Sequence, residues 1–557
     1  MLTAFLLLGY WASWLVPLHF PPWISWHIEA AAFFMVVIAA WAGWLRQRGG
    51  AAVMVPLPVW PLAAFFLVAV LQWGSGLMMF GGDVVTVGLY LALCIICLML
   101  GYASQSRLDT ANPRADNALV EIAIALVAAA ALSVVVAMAQ TFELWPSAAW
   151  VTRTASLRRP GANMAQPNHL ALLLVMAFAS TAYLYELRKF GGAAALALAG
   201  LLALGLAATE SRSGSLAAAL LVVWWLAKRS HFQSRLSIPA VFGTVATVVA
   251  LTYLWPGIHS ELQIVGPEGA RGVGTRLMIW GQLVEALMLH PLRGWGILQT
   301  ASAHNTVVHS HPLAEAFSYS HNLLLDLAIW MGLPLAVGFL IPATIWTWNR
   351  LRVANALVPW YCVALCIPMA VNAMLEFPFT YAYFLAPVMF AAGALEASVR
   401  AGGALRLKQW AAGVLLAGTT GILAWSVAEY FAIEEDFRVV RFQVLQVGRT
   451  PDGYTPPDVV LLTQLGGLLD AGRVELRPAM PPQELELLRR VALRYPWSAT
   501  QFRYALASAL NGDGPEALRQ LQVIRHLSGE KEYQALKGRI RELGQGKFPQ
   551  LKTLRLP

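Results

Sequence analysis

Apolar residues along this chain come in long runs rather than in alternation. Such runs lie near residues 2–18, 28–45, 58–74, 84–103, 118–140, 169–186, 191–208, 214–227, 236–255, 319–347, 355–373, 379–398 and 409–431. Most approach the roughly twenty residues that carry an α-helix across a bilayer. The pattern predicts an all-α, polytopic integral membrane protein of about 13 transmembrane helices. After Phe431 the runs give way to helical periodicity. Between 497 and 526, Phe502, Ala505, Leu506, Ala509 and Leu510 recur at helical spacing. Asn511-Gly512-Asp513-Gly514-Pro515 then breaks the helix, and Ala517, Leu518, Leu521 and Ile524 start another. With flanking helices near 482–495 and 530–543, the tail reads as a soluble α-helical domain, either a tetratricopeptide (TPR)-like solenoid or a plain helical bundle.

Composition agrees with the runs: 12% of residues are charged, against about 25% in soluble domains. The net charge of +9 would suggest nucleic acid in a soluble protein. Here most of the excess sits in short loops, so no nucleic-acid partner is expected. Cys94, Cys97, Cys362 and Cys366 fall inside apolar runs and read as small buried hydrophobes. The start, Met1-Leu2-Thr3-Ala4, lacks the cationic segment of a cleavable signal, so the first run is expected to stay as a span.

The loop charges add an orientation. Every even-numbered connection is basic: Arg46 and Arg48; Arg107 and Arg114; Arg188 and Lys189; Lys228, Arg229 and Arg235; Arg350 and Arg352; Arg400, Arg406 and Lys408. The positive-inside rule places these loops in the cytoplasm. The odd connections hold seven cations, all arginine: Arg153, Arg158, Arg159, Arg212, Arg271, Arg276 and Arg293. Arginine's planar fork pairs bidentately with phosphate. An external set of arginines therefore points to an anion, a phosphate-bearing lipid above all. Two external loops are long, 141–168 and 255–318, and long loops concentrate function. An odd span count puts the tail outside as well. Arg153, Arg158 and Arg159 by themselves read as a solvated basic loop.

Candidate chemistry follows the second long loop. Arg276-Leu277-Met278-Ile279-Trp280 opens an amphipathic helix ended by His290-Pro291, and Leu292-Arg293-Gly294-Trp295-Gly296 follows. The chain re-enters the membrane at Ser320-His321-Asn322, with Asp326 one turn on and Gly332-Leu333-Pro334 beyond. His321 at that outer mouth is either a base for a hydroxyl proton or a residue capping the helix start. His290, His304, His309 and His311 lie close in sequence, but only Glu315 adds a ligand type at suitable spacing, so no metal site is expected. The Gly-Val-Gly at 272–274 has no preceding strand and is not a nucleotide loop.

Together the Arg-x-x-x-Trp helix, the Pro-x-x-Gly-Trp-Gly turn and His321-Asn322-x-x-Leu325 resemble the bacterial O-antigen ligase/polymerase superfamily. Gln166-Pro167-Asn168-His169, Glu210-Ser211-Arg212-Ser213-Gly214 and Glu376-Phe377-Pro378-Phe379-Thr380-Tyr381-Ala382-Tyr383 extend the match. The set looks most like the protein O-oligosaccharyltransferases, the PglL-like branch. The resemblance implies N-terminal membrane helices over 1–150, a catalytic membrane core over 151–400 with a periplasmic loop at 256–318, a last transmembrane helix at 401–431 and a periplasmic helical domain at 432–557. It implies transfer of an oligosaccharide from undecaprenyl-pyrophosphate to Ser or Thr of an acceptor protein, a pilin or other periplasmic protein, with no cofactor. By that resemblance His321 is catalytic and Arg212 and Arg276 bind pyrophosphate. Gln166, Asn168, Asn322 and either Tyr381 or Tyr383 position substrate or acceptor. The expected site is the bacterial inner (cytoplasmic) membrane, among membrane lipids, with the active site facing the periplasm. The rival readings are an O-antigen ligase acting on lipid A–core, a glycan polymerase and a transporter. The soluble tail favours a protein acceptor.

Overall fold

The structure, a computed structural model, describes residues 9, 12–46, 52–106, 118–145, 148–153, 158–261, 273–311, 316–399, 404–445, 447–450 and 452–554. Most of the first apolar run lies outside these residues, as do Arg48, Arg107, Arg114, Arg271, Gly272, Glu315 and Arg400. The described residues are predominantly helical. The helices are α1 (Trp26–Arg46), α2 (Val59–Gly74), α3 (Gly81–Ser106), α4 (Ala118–Thr141), α5 (Pro167–Glu186), α6 (Gly192–Thr209), α7 (Arg212–Lys228) and α8 (Ile238–Glu261). The loop helices α9 (Val273–Leu289) and α10 (Thr300–Val307) follow, then α11 (Leu323–Val353), α12 (Leu357–Ala373), α13 (Ala382–Val399) and α14 (Gln409–Leu445). The tail holds α15 (Thr463–Arg473), α16 (Pro482–Arg494), α17 (Ser498–Leu510), α18 (Gly514–Ser528) and α19 (Glu530–Gln545). Among the described residues, α1, α3, α4, α5, α6, α8, α11 and α14 are long and apolar enough to cross a membrane, while α2, α12 and α13 are shorter apolar helices.

The chain divides into two compact units. The first comprises Met1–Ala63, Leu89–Ala270 and Pro342–Ile422. Its centre is α5, apolar all round and inaccessible from Leu170 to Ala177, packed by α4, α6, α7 and α12. A helix that is apolar on every face belongs in the middle of a bundle. Elsewhere in this unit α3 and α13 cross closely: a Cβ on Gly101 would lie 1.9 Å from Phe390 O, and one on Gly393 the same distance from Leu98 O. Small residues that let backbones touch are how membrane helices gain packing energy.

Loop contacts in this unit respect the charge alternation. Strand β1 (Val53–Val55) pairs antiparallel with β2 (Leu405–Leu407), joining two basic connections. Glu186 accepts from Arg235 N and Leu236 N, and Lys228 donates to Asn355 Oδ1 at 2.8 Å. On the other set of connections, Arg158 pairs with Glu210, Asn168 with Glu376 and His19 with the Asn163 carbonyl. Each of these bonds joins connections that carry the same expected sidedness.

The second unit comprises Ala64–Gly88, Arg271–Ile341 and Leu423–Pro557. The change of composition at 431 falls inside α14, which continues unbroken to Leu445. Its Glu429 accepts backbone N–H bonds from Val460, Leu461 and Leu462 at the start of the tail, and its Asp436 pairs with Arg473. Helices α15 to α19 then pack each against the next. The helix–turn–helix expected between 497 and 526 is α17 and α18, with Asp513 capping α18 by accepting from Glu516 N at 3.1 Å. Phe80, from the connection after α2, enters the tail core with Leu488, Val491 and Tyr504. Beside it Asp83 and Arg494 form a buried pair at 2.9 Å. Burial works against the Arg494 charge, and the Asp83 carboxylate outweighs it, so the guanidinium pKa is raised.

Removing one member of such a pair strands the other charge and costs roughly 3–5 kcal/mol. Asp83→Ala is therefore expected to lower the melting temperature of the detergent-solubilised protein and to open α16, which ends at Arg494, to protease. An unchanged melting temperature and digestion pattern would contradict the anchoring role.

Candidate active site

The nominated residues fall into two groups, one in each unit. In the first unit the chain enters α5 through Gln166, whose side-chain oxygen accepts from Asn168 N and from His169 N at 3.2 Å. Gln166 is thus the N-cap of α5, with Pro167 at the first helical position. Asn168 is a crosslink. Its Nδ2 donates to Glu376 Oε1 at 2.7 Å, and its Oδ1 accepts from Ser211 Oγ at 2.8 Å. Ser211 caps α7 by accepting from Gly214 N at 3.1 Å, and Ser213 continues the network to Asn372 Oδ1. Arg212, between these two buried serines, is exposed at the first residue of α7. The arrangement fixes the backbone of Arg212 on both sides and leaves its guanidinium at a helix N-terminus, where the dipole favours anions.

Arg158 and Arg159 correct the reading of a solvated basic loop. Arg158 is ion-paired to Glu210 at 3.1 Å, and Arg159 Nε donates to Thr209 O at 3.0 Å. Burial lowers the Arg159 pKa, while Glu210 and Glu376 act in the opposite direction. Among the aromatics, Tyr381 is half-buried, its ring edge-on to His169 at 4.4 Å. Tyr383 is fully buried against Trp14 and Phe384. Of the two tyrosines left open by the sequence, Tyr381 is the one with access to solvent.

The second group is built on α11. This helix breaks at Gly332, where φ is 75°. Leu333 N turns away to Pro291 O at 2.8 Å, and the carbonyls it leaves behind are taken by the loop: Trp295 N donates to Ile329 O at 2.7 Å and Gly296 N to Trp330 O at 3.0 Å. Gln72 adds a second donor to Trp330 O and accepts from Ile297 N. The Gly-Trp-Gly turn is therefore a cap for a broken membrane helix. Its glycines are obligatory, since a Cβ on Gly294 would lie 2.6 Å from Gly332 N and one on Gly332 would lie 2.3 Å from Leu292 O.

From that cap the chain runs back along α11. Thr300 Oγ1 donates to Asp326 Oδ1 at 3.0 Å, and Ser320 N donates to the same oxygen at 2.9 Å. Ser320 O in turn accepts from the Trp280 indole at 2.8 Å. His321 is thus held by a clamped neighbour. It lies just before α11, with φ 58° and its ring edge-on to Phe317 at 5.6 Å. A non-glycine residue there is uncommon and persists where its surroundings determine it. The helix cap is Asn322, whose Oδ1 accepts from Leu324 N and Leu325 N, so His321 is not the capping residue. Arg276 lies one turn before Trp280 on the same face of α9, the face that meets the His321 turn.

The remaining histidines are spread over separate partners. His304 is bonded to Gln282 at 2.6 Å, and burial, then His311, push its pKa down to about 4. His311 contacts Glu285 at 2.8 Å. Among the described residues no three metal-ligating side chains cluster. Sequence reasoning quoted Glu376 in a motif but gave it no role, and it missed Asn372 and the Trp280–Ser320 tether. A carboxylate at the outer end of an apolar run needs a partner, which was the available signal.

An all-helical membrane protein with these motifs has recognisable relatives. Residues 195–340 match the O-antigen ligase family, and residues 360–539 match the family described as virulence factor membrane-bound polymerase, C-terminal. Over 251 residues the chain is 29% identical to a general O-oligosaccharyltransferase of Acinetobacter baylyi (strain ATCC 33305 / BD413 / ADP1), covering 43% of this chain and 44% of that protein. A ComP-specific O-oligosaccharyltransferase of the same strain is 30% identical over 245 residues, covering 42% and 43%. The chain thus spans less than half the length of these curated relatives. No solved structure matches. The chain is thus similar to the O-antigen ligase family over residues 195–340 and to O-oligosaccharyltransferases over less than half of its length.

The Asn168 crosslink makes a testable statement about the first group. Glu376→Ala removes the acceptor of Asn168 Nδ2 and is expected to raise amide hydrogen exchange at 166–169 and 209–214, with exchange in the middle of α5 unchanged. Equal exchange at both segments would contradict the crosslink.

Proposed function

We propose that the chain transfers an oligosaccharide en bloc from undecaprenyl-pyrophosphate to Ser or Thr hydroxyls of a periplasmic or pilin-type protein. The observation that carries this is the His321 turn at the mouth of a membrane helix, whose preceding residue Ser320 is held by Trp280 and by a Thr300-bonded Asp326, in a chain whose curated relatives are O-oligosaccharyltransferases. In the reaction His321 takes the acceptor hydroxyl proton as the oxygen attacks the anomeric carbon. The bond from that carbon to the phosphate oxygen breaks, and undecaprenyl-pyrophosphate leaves with the electron pair. Arg212 and Arg276 hold the pyrophosphate and stabilise the developing charge. General-base assistance of this kind contributes roughly 10²–10⁴ in rate. Gln166, Asn168 and Asn322 set the backbone around these groups, and Tyr381 supplies a hydroxyl to the sugar or acceptor.

Thirteen spans, the basic loops in the cytoplasm and the tail in the periplasm complete the reading. The contacts of Phe80 and Asp83 with the tail support it, because they join it to a connection expected outside. The tail, read as a TPR-like array, presents acceptor proteins. The polymerase name attached to residues 360–539 favours a second reading, joining of glycan to glycan.

Co-expression with a lipid-linked glycan and a pilin separates these readings. The expected result is a mass increase on the pilin equal to the whole glycan. A lipopolysaccharide or polymer ladder with an unmodified pilin would overturn the proposal. His321→Ala is expected to abolish the increase in a normally inserted protein. Arg212→Lys and Arg276→Lys keep charge but lose the fork, and each is expected to lose most activity, with Arg293→Ala milder. Wild-type rates in both Lys variants would refute phosphate binding by these arginines. For topology, a cysteine at Gly512 is expected to react with an impermeant thiol reagent in spheroplasts and one at Arg406 to stay protected; the reverse pattern would invert the assignment.

A further inference from the structure

A cavity of about 320 Å³ lies in the second unit, lined by Trp73 at the end of α2, by Gly76, Met78 and Met79 from the connection after it, and by Glu486, Arg489 and Arg490 from α16. The charges in it are arranged unequally. Glu486 is held bidentately by Arg489 Nε and Nη2, both at 2.7 Å, and these bonds, with a lesser contribution from the nearby Arg490 charge, keep its carboxyl pKa below the ordinary value. That pair cancels. Arg490 has its guanidinium fixed over the Phe80 ring at 4.5 Å and makes no hydrogen bond or ion pair with the described residues. The cavity lining therefore carries one net positive charge, on a half-buried fork that lies over the Phe80 ring and has no acceptor for its N–H donors among the described residues.

What leads into the cavity is equally specific. Phe66, Leu67, Val70, Leu71 and Trp73 are all exposed along α2. The spacing of Phe66, Leu67, Val70 and Leu71 places them on one helix face. In a short apolar helix that face is what acyl chains cover, and it ends in a tryptophan, the side chain favoured at the level of lipid headgroups. An apolar stripe, an interfacial Trp and an Arg with no hydrogen-bond acceptor among the described residues match the chemistry of a glycerophospholipid.

We propose that this cavity binds the headgroup of a bilayer phospholipid, its phosphodiester on Arg490 and its acyl chains along the exposed face of α2. The single net charge of the cavity complements a lipid of net charge −1, such as phosphatidylglycerol. The bound lipid then joins α16 of the tail to the membrane surface. This inference is independent of the proposed transfer reaction.

The test is native mass spectrometry of the full-length chain released from detergent with added phosphatidylglycerol, phosphatidylcholine or inorganic phosphate. The wild type is expected to retain one phosphatidylglycerol in preference to phosphatidylcholine. Arg490→Gln is expected to weaken that retention by roughly ten-fold, the usual worth of a charge-assisted hydrogen bond. Leu71→Ser, on the lipid-facing stripe, is expected to weaken it as well. Arg539→Gln, on an exposed ion pair elsewhere in the tail, is expected to leave it unchanged. The melting temperature without lipid establishes that each variant is folded, and added phosphatidylglycerol is expected to raise it in the wild type but not in Arg490→Gln. Equal retention by a folded Arg490→Gln variant would overturn the site. Displacement of the lipid by inorganic phosphate at equal concentration would overturn the lipid assignment in favour of a free anion site. Equal retention of phosphatidylcholine would overturn the charge argument.

Discussion

A backbone carbonyl inside a bilayer has no water to turn to, and leaving one unpaired costs several kcal/mol. Helix α11 breaks at Gly332 and so exposes the carbonyls of Ile329 and Trp330. The architecture of the second long loop follows from how those two groups are satisfied. The Gly294–Trp295–Gly296 turn must come back to α11 to donate to them, and it fits only because both chains are glycine at the crossing. Once the turn is seated, Thr300 arrives opposite Asp326, and Asp326 holds Ser320. His321 is the next residue. Its conformation is thus inherited from a repair of the helix, passed along by hydrogen bonds.

The first unit solves a related problem by different means. Three connections meet at Asn168, which bonds to Glu376 from one and to Ser211 from another. The cap of α5 by Gln166 and of α7 by Ser211 puts two helix N-termini into one network, and Arg212 emerges from the second. In both units the best-connected polar residues act on the backbone beside Arg212 or His321. Buried polar groups this well paired are stiff.

Much of this was legible in the sequence. Apolar runs from residue 28 onward gave helices in their places, because a bilayer span needs only length and hydrophobicity. The loop helix that carries Arg276, which begins three residues earlier at Val273, and the helix–turn–helix at 497–526 were equally plain from periodicity. What sequence could not show was partnership at long range. Nothing local distinguishes Glu376 from any carboxylate near a span end, or Asp83 from a first-turn acid favoured by the helix dipole; their partners lie 208 and 411 residues away. The continuation of α14 through the composition change at 431 was hidden for the opposite reason, since a helix needs no change of backbone to pass from apolar to polar surroundings. Tyr381 and Tyr383 differ in burial, which nothing in their local sequence shows.

The account rests on the claim that the capped break in α11 holds His321 in its working position. Gly294→Ala tests it most directly, because the substitution touches neither His321 nor the arginines, yet its Cβ would lie 2.6 Å from Gly332 N at a φ of 70°. The measurement is glycan transfer to an acceptor protein by the purified, membrane-inserted variant. The account predicts a loss approaching that of His321→Ala with insertion intact. Transfer at the wild-type rate by Gly294→Ala would contradict it.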